Sequence, residues 1–436
     1  MIDRASPTDR AFLAMDDARA PEQFGVVLLF DEADGFDLDR ARQVLADRVV
    51  AVPRLRQRLI RTPLGCGGPI WVDDERFDIR DQVRVVRCAE PWDERALLDR
   101  AYSLVATPLP LPGPRWSAVF VTGLADRQVA LVIVLHHVLA DGVGGLAILA
   151  RLADPGTSAP PVVFPRPRPT ATALALDAVS ERVRAVLRTG AALRLLRMST
   201  AAAGGLHPPR AVPCSLLRQT GGRGGSAVVR VPAKALRAAA HRHGATANDA
   251  ILTAVGAALN DVLLASGESL DTVMVGVPVS GHVSEEPARG NMVSPLLVPV
   301  PATGDLAERL RRTEARVRAH KSSAQGPPLI ALLGWLFRPL AALGVYRWYM
   351  NHQRRMHTLV SHVRGPADPI TFSGWPIRSA VPIGSLGAGN VTVYFDVFTY
   401  AGTVTITVIA DLDRFPDLDV LTRAVRAELD RITSLD

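Results

Sequence analysis

Apolar residues recur with two different spacings along this chain of 436 residues. Short apolar runs, such as FGVVLLF at 24–30 and VALVIVL at 129–135, predict buried strands. Other stretches place an apolar residue at every third or fourth position, which predicts helices that bury one face. In the helix predicted at 37–50, that face comprises Leu38, Ala41, Val44, Leu45 and Val49. Because both patterns alternate along the chain, the sequence predicts a mixed α/β fold in which helices cover sheets.

The predicted elements form two groups. In the first half, the patterns predict helices at 7–18, 37–50, 93–106 and 143–152, and strands at 24–30, 83–88, 116–124 and 128–135. In the second half, they predict helices at 232–243, 246–265, 304–322 and 417–432, and strands at 226–231, 271–279, 293–300, 356–363, 377–383, 390–399 and 402–410. Either Ser6 or Thr8 could cap the first helix.

A change in composition separates the two groups. Residues 154–170 contain six prolines and predict an extended linker, and residues 171–200 predict a basic helix. We therefore predict an N-terminal subdomain at 1–153, a crossover segment at 154–225 and a C-terminal subdomain at 226–436.

The apolar segment 327–350 is long enough to span a bilayer, but it contains Arg338 and Pro339 near its centre. Proline breaks a helix and a central arginine opposes insertion, so two short helices are predicted instead. They would lie on a membrane surface or cap an apolar tunnel, or they would form an ordinary pair of core helices.

The net charge of +7 is concentrated in two segments. Residues 164–218 contain nine arginines against Asp177 and Glu181, and residues 315–367 contain eight basic residues and no acid. Because these charges are interleaved with apolar stretches, they favour anionic lipid or CoA phosphates as partners, and not nucleic acid. We therefore expect a cytoplasmic protein associated peripherally with the inner membrane face or with lipid droplets.

Three widely spaced cysteines, Cys66, Cys88 and Cys214, are typical of reduced thiols in a cytosolic protein. The N-terminus lacks the apolar stretch of a signal peptide. No zinc-binding motif accompanies the histidines, so no metal site is predicted.

The candidate chemistry lies where the apolar run 129–135 ends, at His136-His137-Val138-Leu139-Ala140-Asp141-Gly142. Adjacent residues of a strand point to opposite faces, so only one of the two imidazoles can enter a given cavity. The other is expected to be buried, hydrogen-bonded and structural. An imidazole with an ordinary pKa of roughly 6.5 is neutral at cellular pH and can act as a general base. Asp141 could fix the turn through a cation, and Gly142 permits close approach of the backbone.

This segment resembles the HHxxxDG motif of the CoA-dependent acyltransferase superfamily. The chain as a whole is similar to the bacterial wax ester synthase/diacylglycerol acyltransferase family. The similarity extends to Ser6-Pro7-Thr8-Asp9 with Phe12-Leu13 near the N-terminus, Asn248-Asp249, Arg289-Gly290-Asn291, Ser361-His362-Val363-Arg364-Gly365-Pro366 and Ile409-Ala410-Asp411.

The resemblance implies two chloramphenicol-acetyltransferase-like subdomains, each a mixed sheet with flanking helices, and an active-site tunnel between them. It implies that His137 is the general base, that His136 and Asp141 hold the loop, and that no covalent enzyme intermediate forms. Substrate binding would involve Asn248, Asp249, Trp116 and Ser361, although Asn248 and Asp249 could equally serve as helix caps. No cofactor is expected, because acyl-CoA is the co-substrate.

Two positions depart from the family pattern. Arg115 replaces the leucine of a Pro-Leu-Trp motif whose tryptophan is Trp116. His282 stands where the family has an arginine that pairs with the motif aspartate. We hypothesise that Asp141 holds His282 protonated, or that Arg289 replaces the missing arginine.

The function expected from the resemblance is transfer of a long acyl chain from acyl-CoA to a lipid hydroxyl, such as diacylglycerol or a fatty alcohol. Two alternatives stay open. The acceptor could be another hydroxyl, on a polyketide or a glycolipid, or the chain could be a catalytically weakened lipid-binding or droplet-coating protein.

Overall fold

The computed structural model describes residues 2–32, 35–155, 163–187, 210–280, 293–323 and 340–435. Its strands are β1 (Gln23–Asp31), β2 (Gln57–Ile60), β3 (Ile70–Asp73), β4 (Val83–Trp92), β5 (Trp116–Leu124), β6 (Gln128–His136), β7 (Gly224–Pro232), β8 (Thr272–Ser280), β9 (Val293–Pro301), β10 (Thr358–Arg364), β11 (Thr371–Phe372), β12 (Trp375–Pro376), β13 (Ser379–Gly384), β14 (Val393–Tyr400) and β15 (Thr403–Asp411).

The helices in the described residues are α1 (Pro7–Met15), α2 (Leu38–Val49), α3 (Ile79–Gln82), α4 (Glu94–Ala106), α5 (Gly142–Leu152), α6 (Ala171–Leu187), α7 (Ala233–Arg242), α8 (Ala247–Ala265), α9 (Leu306–Ser323), α10 (Val345–His352) and α11 (Leu418–Thr433). Capping residues explain where two of them begin. Ser6 forms a capping box with Asp9 before α1, and Thr246 forms one with Asp249 before α8.

Two mixed sheets organise these elements. The first has the order β13-β1-β6-β5-β4, and the second has the order β7-β15-β14-β10-β8-β9. Strand β13 belongs to the C-terminal part of the sequence, yet it pairs antiparallel with β1 and forms an edge of the first sheet. The predicted mixed α/β fold is therefore confirmed, and one strand of the C-terminal part completes the N-terminal sheet.

The apolar faces of the sheets form the cores. Helices α2 and α5 pack against one face of the first sheet, and α4 packs against the other. The second sheet buries a separate cluster beneath α7, α8 and α11. Among the described residues, α8 alone is long and apolar enough to cross a membrane, but 78% of its apolar window is buried within the protein, as in a core helix.

The sequence predictions for the strands and helices are confirmed, apart from shifts of a few residues at their ends. The basic helix predicted at 171–200 is present as α6, and positions 188–200 lie outside the described residues. The sequence patterns missed the short strands β2 and β3, which pair with each other.

Candidate active site

The two adjacent histidines at the end of β6 occupy different environments. The His136 ring is buried, with Nε2 lying 3.1 Å from Oδ2 of Asp16 and Nδ1 accepting the Val138 N–H at 3.0 Å. Because Nδ1 accepts that hydrogen bond, Nε2 is the ring nitrogen that faces Asp16. Arg115 lies 3.3 Å from the same carboxylate. His136 is thus held beside the Asp16 carboxylate, which also pairs with Arg115.

The Asp16 carboxylate is suited to this role. Burial would raise the pKa of Asp16, but the hydrogen bond and charge of His136 lower it, as do the Glu22 backbone N–H and Arg115. The net pKa lies below the ordinary value, so Asp16 is ionised at neutral pH.

The His137 side chain is half-buried and lies between two aromatic rings. It stacks on Phe12, with ring centroids 5.0 Å apart and an interplanar angle of 14°, and it contacts Phe24 at 4.7 Å. Burial lowers the pKa of His137 to about 4, with a further contribution from His136, although a hydrogen bond with the Ala140 backbone opposes the shift. The ring is therefore neutral at physiological pH, which is the state that a proton acceptor needs.

The turn after His137 is fixed by Asp141, which is the N-cap of α5. Its Oδ1 accepts the Gly144 N–H at 2.8 Å, whereas no donor among the described residues reaches Oδ2. Glycines allow the helix to approach its neighbours closely. A Cβ atom on Gly142 would lie 2.8 Å from Val363, and one on Gly145 would lie 2.9 Å from Phe24.

The face of the first sheet that carries His137 is turned toward the second sheet, and we call the region between the two faces the cleft. Residues that alternate along a strand share a face, and so do antiparallel partners. The register pairs Gln23 with His136 and Phe24 with Leu135, and the His137 N–H donates to the Glu22 carbonyl at 2.8 Å. The wall formed by the first sheet therefore comprises Glu22, Phe24, Val26 and His137, all of which are half-buried.

The second sheet supplies the opposite wall from alternate residues of β14 and β10. Thr407, the partner of Asp396 on β15, donates its hydroxyl to the Pro382 carbonyl at 2.6 Å, which places this face against the first sheet. A Cβ atom on Gly384, the β13 partner of Phe24, would lie 2.6 Å from Oδ2 of Asp396. This second wall comprises Tyr394, Asp396 and Phe398 of β14 with their β10 neighbours Leu359, Ser361 and Val363.

The two ends of the cleft differ in polarity. Next to Phe24, along β1, lies an apolar cavity whose lining includes Val26, Leu28, Ile133, Leu149, Phe372 and Phe398. At the other end lie the carboxyl groups of Glu22 and Asp396. The His137 ring contacts Phe24, which lies two residues before Val26 of this cavity, and the His137 backbone pairs with Glu22. This arrangement suits a reaction at the head of a long hydrocarbon chain.

Two family profiles match this chain along most of its length. The wax ester synthase/diacylglycerol acyltransferase catalytic domain matches residues 5–251, and the WS/DGAT C-terminal domain matches residues 289–433. The chain belongs to the wax ester synthase/diacylglycerol acyltransferase family. It is accordingly an acyl-CoA-dependent O-acyltransferase of the diacylglycerol O-acyltransferase and wax ester synthase type.

Named relatives agree with this assignment. A putative diacylglycerol O-acyltransferase of Mycobacterium tuberculosis is 28% identical over 424 residues, covering 92% of this chain and 89% of its own length. The probable diacylglycerol O-acyltransferase tgs1 of the same organism is 26% identical over 458 residues, covering 98% of this chain and 95% of its own length.

Solved structures share the fold. The wax ester synthase/diacylglycerol acyltransferase of Marinobacter aquaeolei VT8 has a TM-score of 0.69 at 22% identity, with 99% of this chain and 100% of that one covered. A condensation domain that mediates chain release from the enacyloxin polyketide synthase has a TM-score of 0.55 at 20% identity, with coverages of 98% and 82%. These similarities confirm the predicted acyltransferase fold.

Asn248 and Asp249, the Asn-Asp pair of this WS/DGAT chain, lie at the start of α8. Asp249 forms the capping box with Thr246, while Oδ1 of Asn248 lies 3.2 Å from Nδ1 of His362. The other ring nitrogen of His362 lies 2.9 Å from the Thr399 hydroxyl. Asp249 is therefore a helix cap in this structure, and substrate binding by either residue stays a prediction.

Trp116 and Ser361 have contrasting positions. Trp116 is 1% exposed within the core of the first subdomain and donates its Nε1–H to the Leu55 carbonyl at 2.7 Å, so it contributes to packing. Contact of Trp116 with substrate stays a prediction. Ser361 is half-buried and is the parallel neighbour of Asp396, which places it on the cleft wall.

Two predicted features are only partly visible. His282 and Arg289 lie outside the described residues, so their pairing with Asp141 stays a prediction. Of the segment 327–350, the structure describes positions 340–350, which include the first part of α10. Trp348 of this helix is exposed, and the Arg347 guanidinium lies 3.7 Å from the Asp17 carboxylate. This part of the segment is at the surface and is not a core helix.

The sequence analysis did not identify several residues around His137. Phe12 belongs to the opening motif, which gives no link to His137, and Phe24 resembles an ordinary core position. Asp16 lies too far along the chain to be linked with His136. Glu22 directly precedes β1, and Asp396 is a single acid within β14, so either could be a solvent-facing side chain. Only the sheet register and the packing of the two halves bring these residues together.

Proposed function

We propose that this enzyme transfers a long-chain acyl group from acyl-CoA to a lipid hydroxyl, with diacylglycerol or a fatty alcohol as acceptor. The observation that carries the proposal is a neutral imidazole, His137, that contacts Phe24, two residues before Val26 of the apolar cavity, and has the acidic residue Glu22 as its cross-strand neighbour. The apolar cavity suits a hydrocarbon chain, because its described lining is formed by aliphatic and aromatic side chains.

In the proposed reaction, His137 accepts the proton of the acceptor hydroxyl while that oxygen attacks the thioester carbonyl carbon. A tetrahedral intermediate forms, and the carbon–sulfur bond then breaks as CoA leaves as a thiolate. The imidazolium returns its proton to the thiolate sulfur, so the ester and free CoA are the products and the enzyme is regenerated. The chemistry uses acyl-CoA as co-substrate and calls for no resident cofactor.

His136 and Asp141 act as positioning residues in this proposal. His136 is tied to Asp16 on the opposite side of the sheet, which fixes the end of β6. Asp141 caps α5 and closes the turn that carries His137. Both would act through the placement of His137, without contacting the substrate.

We further propose that the protein binds peripherally to a membrane or lipid droplet. Helix α6 exposes Leu176, Val179 and Val183 within a basic part of the sequence, and α10 exposes Trp348 beside Arg347. Apolar side chains next to cationic ones suit an anionic lipid surface.

Purified protein with labelled palmitoyl-CoA and a panel of alcohols tests the proposed reaction. We expect ester formation and CoA release with wild type, and a loss of about 100-fold or more in kcat/KM for His137→Ala. His241→Ala is the matched control, because His241 is an exposed histidine on α7. Undiminished product with His137→Ala would rule out its role as base. Absence of product with every acceptor would favour a lipid-binding protein, and product with non-lipid alcohols alone would favour a polyketide or glycolipid acceptor.

A further inference from the structure

Glu22 occupies an unusual position for a carboxylic acid in a lipid enzyme. The His137 N–H donates to the Glu22 carbonyl, and the neighbouring register pairs Gln23 with His136. Glu22 is therefore the cross-strand neighbour of His137 on the same face of the sheet. Such neighbours have Cβ atoms about 4.5–5.5 Å apart, so one small molecule can touch both side chains.

The surroundings of Glu22 leave its carboxyl group unsatisfied. Burial raises the pKa of Glu22 to about 7, and the charge of Asp16 contributes, yet the side chain is only half-buried by surface. As the cross-strand neighbour of His137, Glu22 lies on the face of the first sheet that is turned toward the second sheet. Among the described residues, no donor forms a hydrogen bond or ion pair with this carboxyl.

Other polar groups surround the same space. The charge of Glu22 contributes to raising the pKa values of Tyr394 and Tyr346, after burial, which places both phenols near its carboxyl group. On the opposite wall, burial raises the pKa of Asp396 to about 6, although the Gly384 backbone N–H lowers it. Ser361 is the parallel neighbour of Asp396 on the same face.

A hydrocarbon chain gains nothing from this region, because buried carboxyl groups require hydrogen-bond donors. The apolar cavity on the other side of Phe24 is better suited to such a chain. A carboxyl group keeps acceptor oxygens whether it is ionised or protonated, so its natural ligand is a hydroxyl donor. In an acceptor alcohol, a second hydroxyl on the carbon next to the one that bears the reacting hydroxyl would lie between Glu22 and His137.

We propose that the enzyme prefers lipid diols to lipids with a single hydroxyl: the reacting hydroxyl meets His137 while the neighbouring hydroxyl donates a hydrogen bond to Glu22. This inference rests on the proposed acyltransferase function and specifies its acceptor. Tyr394, Asp396 and Ser361 extend the polar end of the cleft and accommodate further polar groups of the acceptor head.

A matched pair of alcohols tests the inference. Hexadecanol and its vicinal diol differ by one hydroxyl, and both are assayed with palmitoyl-CoA by CoA release. In wild type, we expect kcat/KM for the diol to exceed that for hexadecanol by roughly tenfold, as expected for one hydrogen bond to a buried carboxyl. Glu22→Met, which has a similar size and lacks the carboxyl, should reduce this ratio to about one. Glu22→Gln, which keeps one acceptor oxygen, should give an intermediate ratio and serves if the methionine variant fails to fold.

Glu32→Met is the control, because Glu32 is an exposed glutamate directly after β1. It should preserve the wild-type ratio. A wild-type ratio near one, or an unchanged ratio in both Glu22 variants, would overturn the acceptor assignment while leaving the acyltransferase function intact. Absence of product from both alcohols would instead overturn the proposed function together with this inference.

Discussion

At the scale of single residues, the alternation of side chains along a strand places two adjacent histidines on opposite faces of the sheet. His136 points to Asp16 and is held in place, whereas His137 points to the cleft and lies between Phe12 and Phe24. Two imidazoles that are adjacent in sequence thereby have different partners, and the proposed base is the one that lies between two aromatic rings. Its low pKa follows from that environment.

The pH dependence of the reaction reports this environment. The base must be neutral, and a pKa lowered to about 4 keeps His137 neutral as pH falls well below the ordinary histidine value of roughly 6.5. With hexadecanol, which has no second hydroxyl to meet Glu22, we expect kcat/KM to stay level down to about pH 5 and to fall near about pH 4. A fall in kcat/KM near pH 6.5 would instead contradict a base whose pKa is lowered by burial, as proposed for His137. Glu22 and Asp396, whose pKa values are raised by burial, also titrate near this site, so the Glu22→Gln variant provides the comparison profile.

At the scale of elements, the sequence was informative wherever local pattern determines structure. The apolar run before His136 predicted β6, and the glycines after Asp141 predicted the start of α5. The short strands β2 and β3 were missed because four residues carry too little periodicity. The carboxyl groups of Glu22 and Asp396 were missed for a different reason, since their proximity depends on the packing of one sheet against the other.

Close packing between elements predicts a stability effect at Gly25 of β1. A Cβ atom there would lie 2.8 Å from the Ile133 carbonyl oxygen and 2.9 Å from Val105 of α4. Gly25→Ala should therefore lower the free energy of unfolding by about 1–3 kcal/mol, as measured by urea denaturation. Gly222→Ala is the matched control, because nothing lies within 4 Å of its Cβ position. Equal stability of the two variants would show that β1 and α4 can separate without cost.

At the scale of the whole molecule, the two sequence halves share a sheet. Strand β13 pairs with β1 from Phe24–Gly384 to Leu29–Ser379, and the Ser385 hydroxyl donates to the Pro21 carbonyl at 2.7 Å. The cleft that contains His137 has one wall from each half. Both the fold of the first sheet and the completeness of the site therefore depend on the two halves being together.

Separating the halves should abolish both properties. We expect a 1–225 fragment expressed alone to aggregate, because the edge of β1 that β13 covers would expose unpaired backbone groups. Co-expression with a 226–436 fragment should restore soluble protein and ester formation from palmitoyl-CoA. Cooperative unfolding of the isolated 1–225 fragment would contradict this dependence, as would acyltransferase activity from either fragment alone.

The pairing of Leu29 with Ser379 also has a consequence for biosynthesis. The ribosome synthesises β1 and β6 long before it translates the residues of β13. The edge of β1 that β13 covers therefore stays unpaired through most of elongation. Chaperones that shield unpaired strand edges would therefore matter more for this chain than for one whose neighbouring strands are synthesised in succession. If translation stopped late but before β13, the product would keep an exposed strand edge and would tend to aggregate.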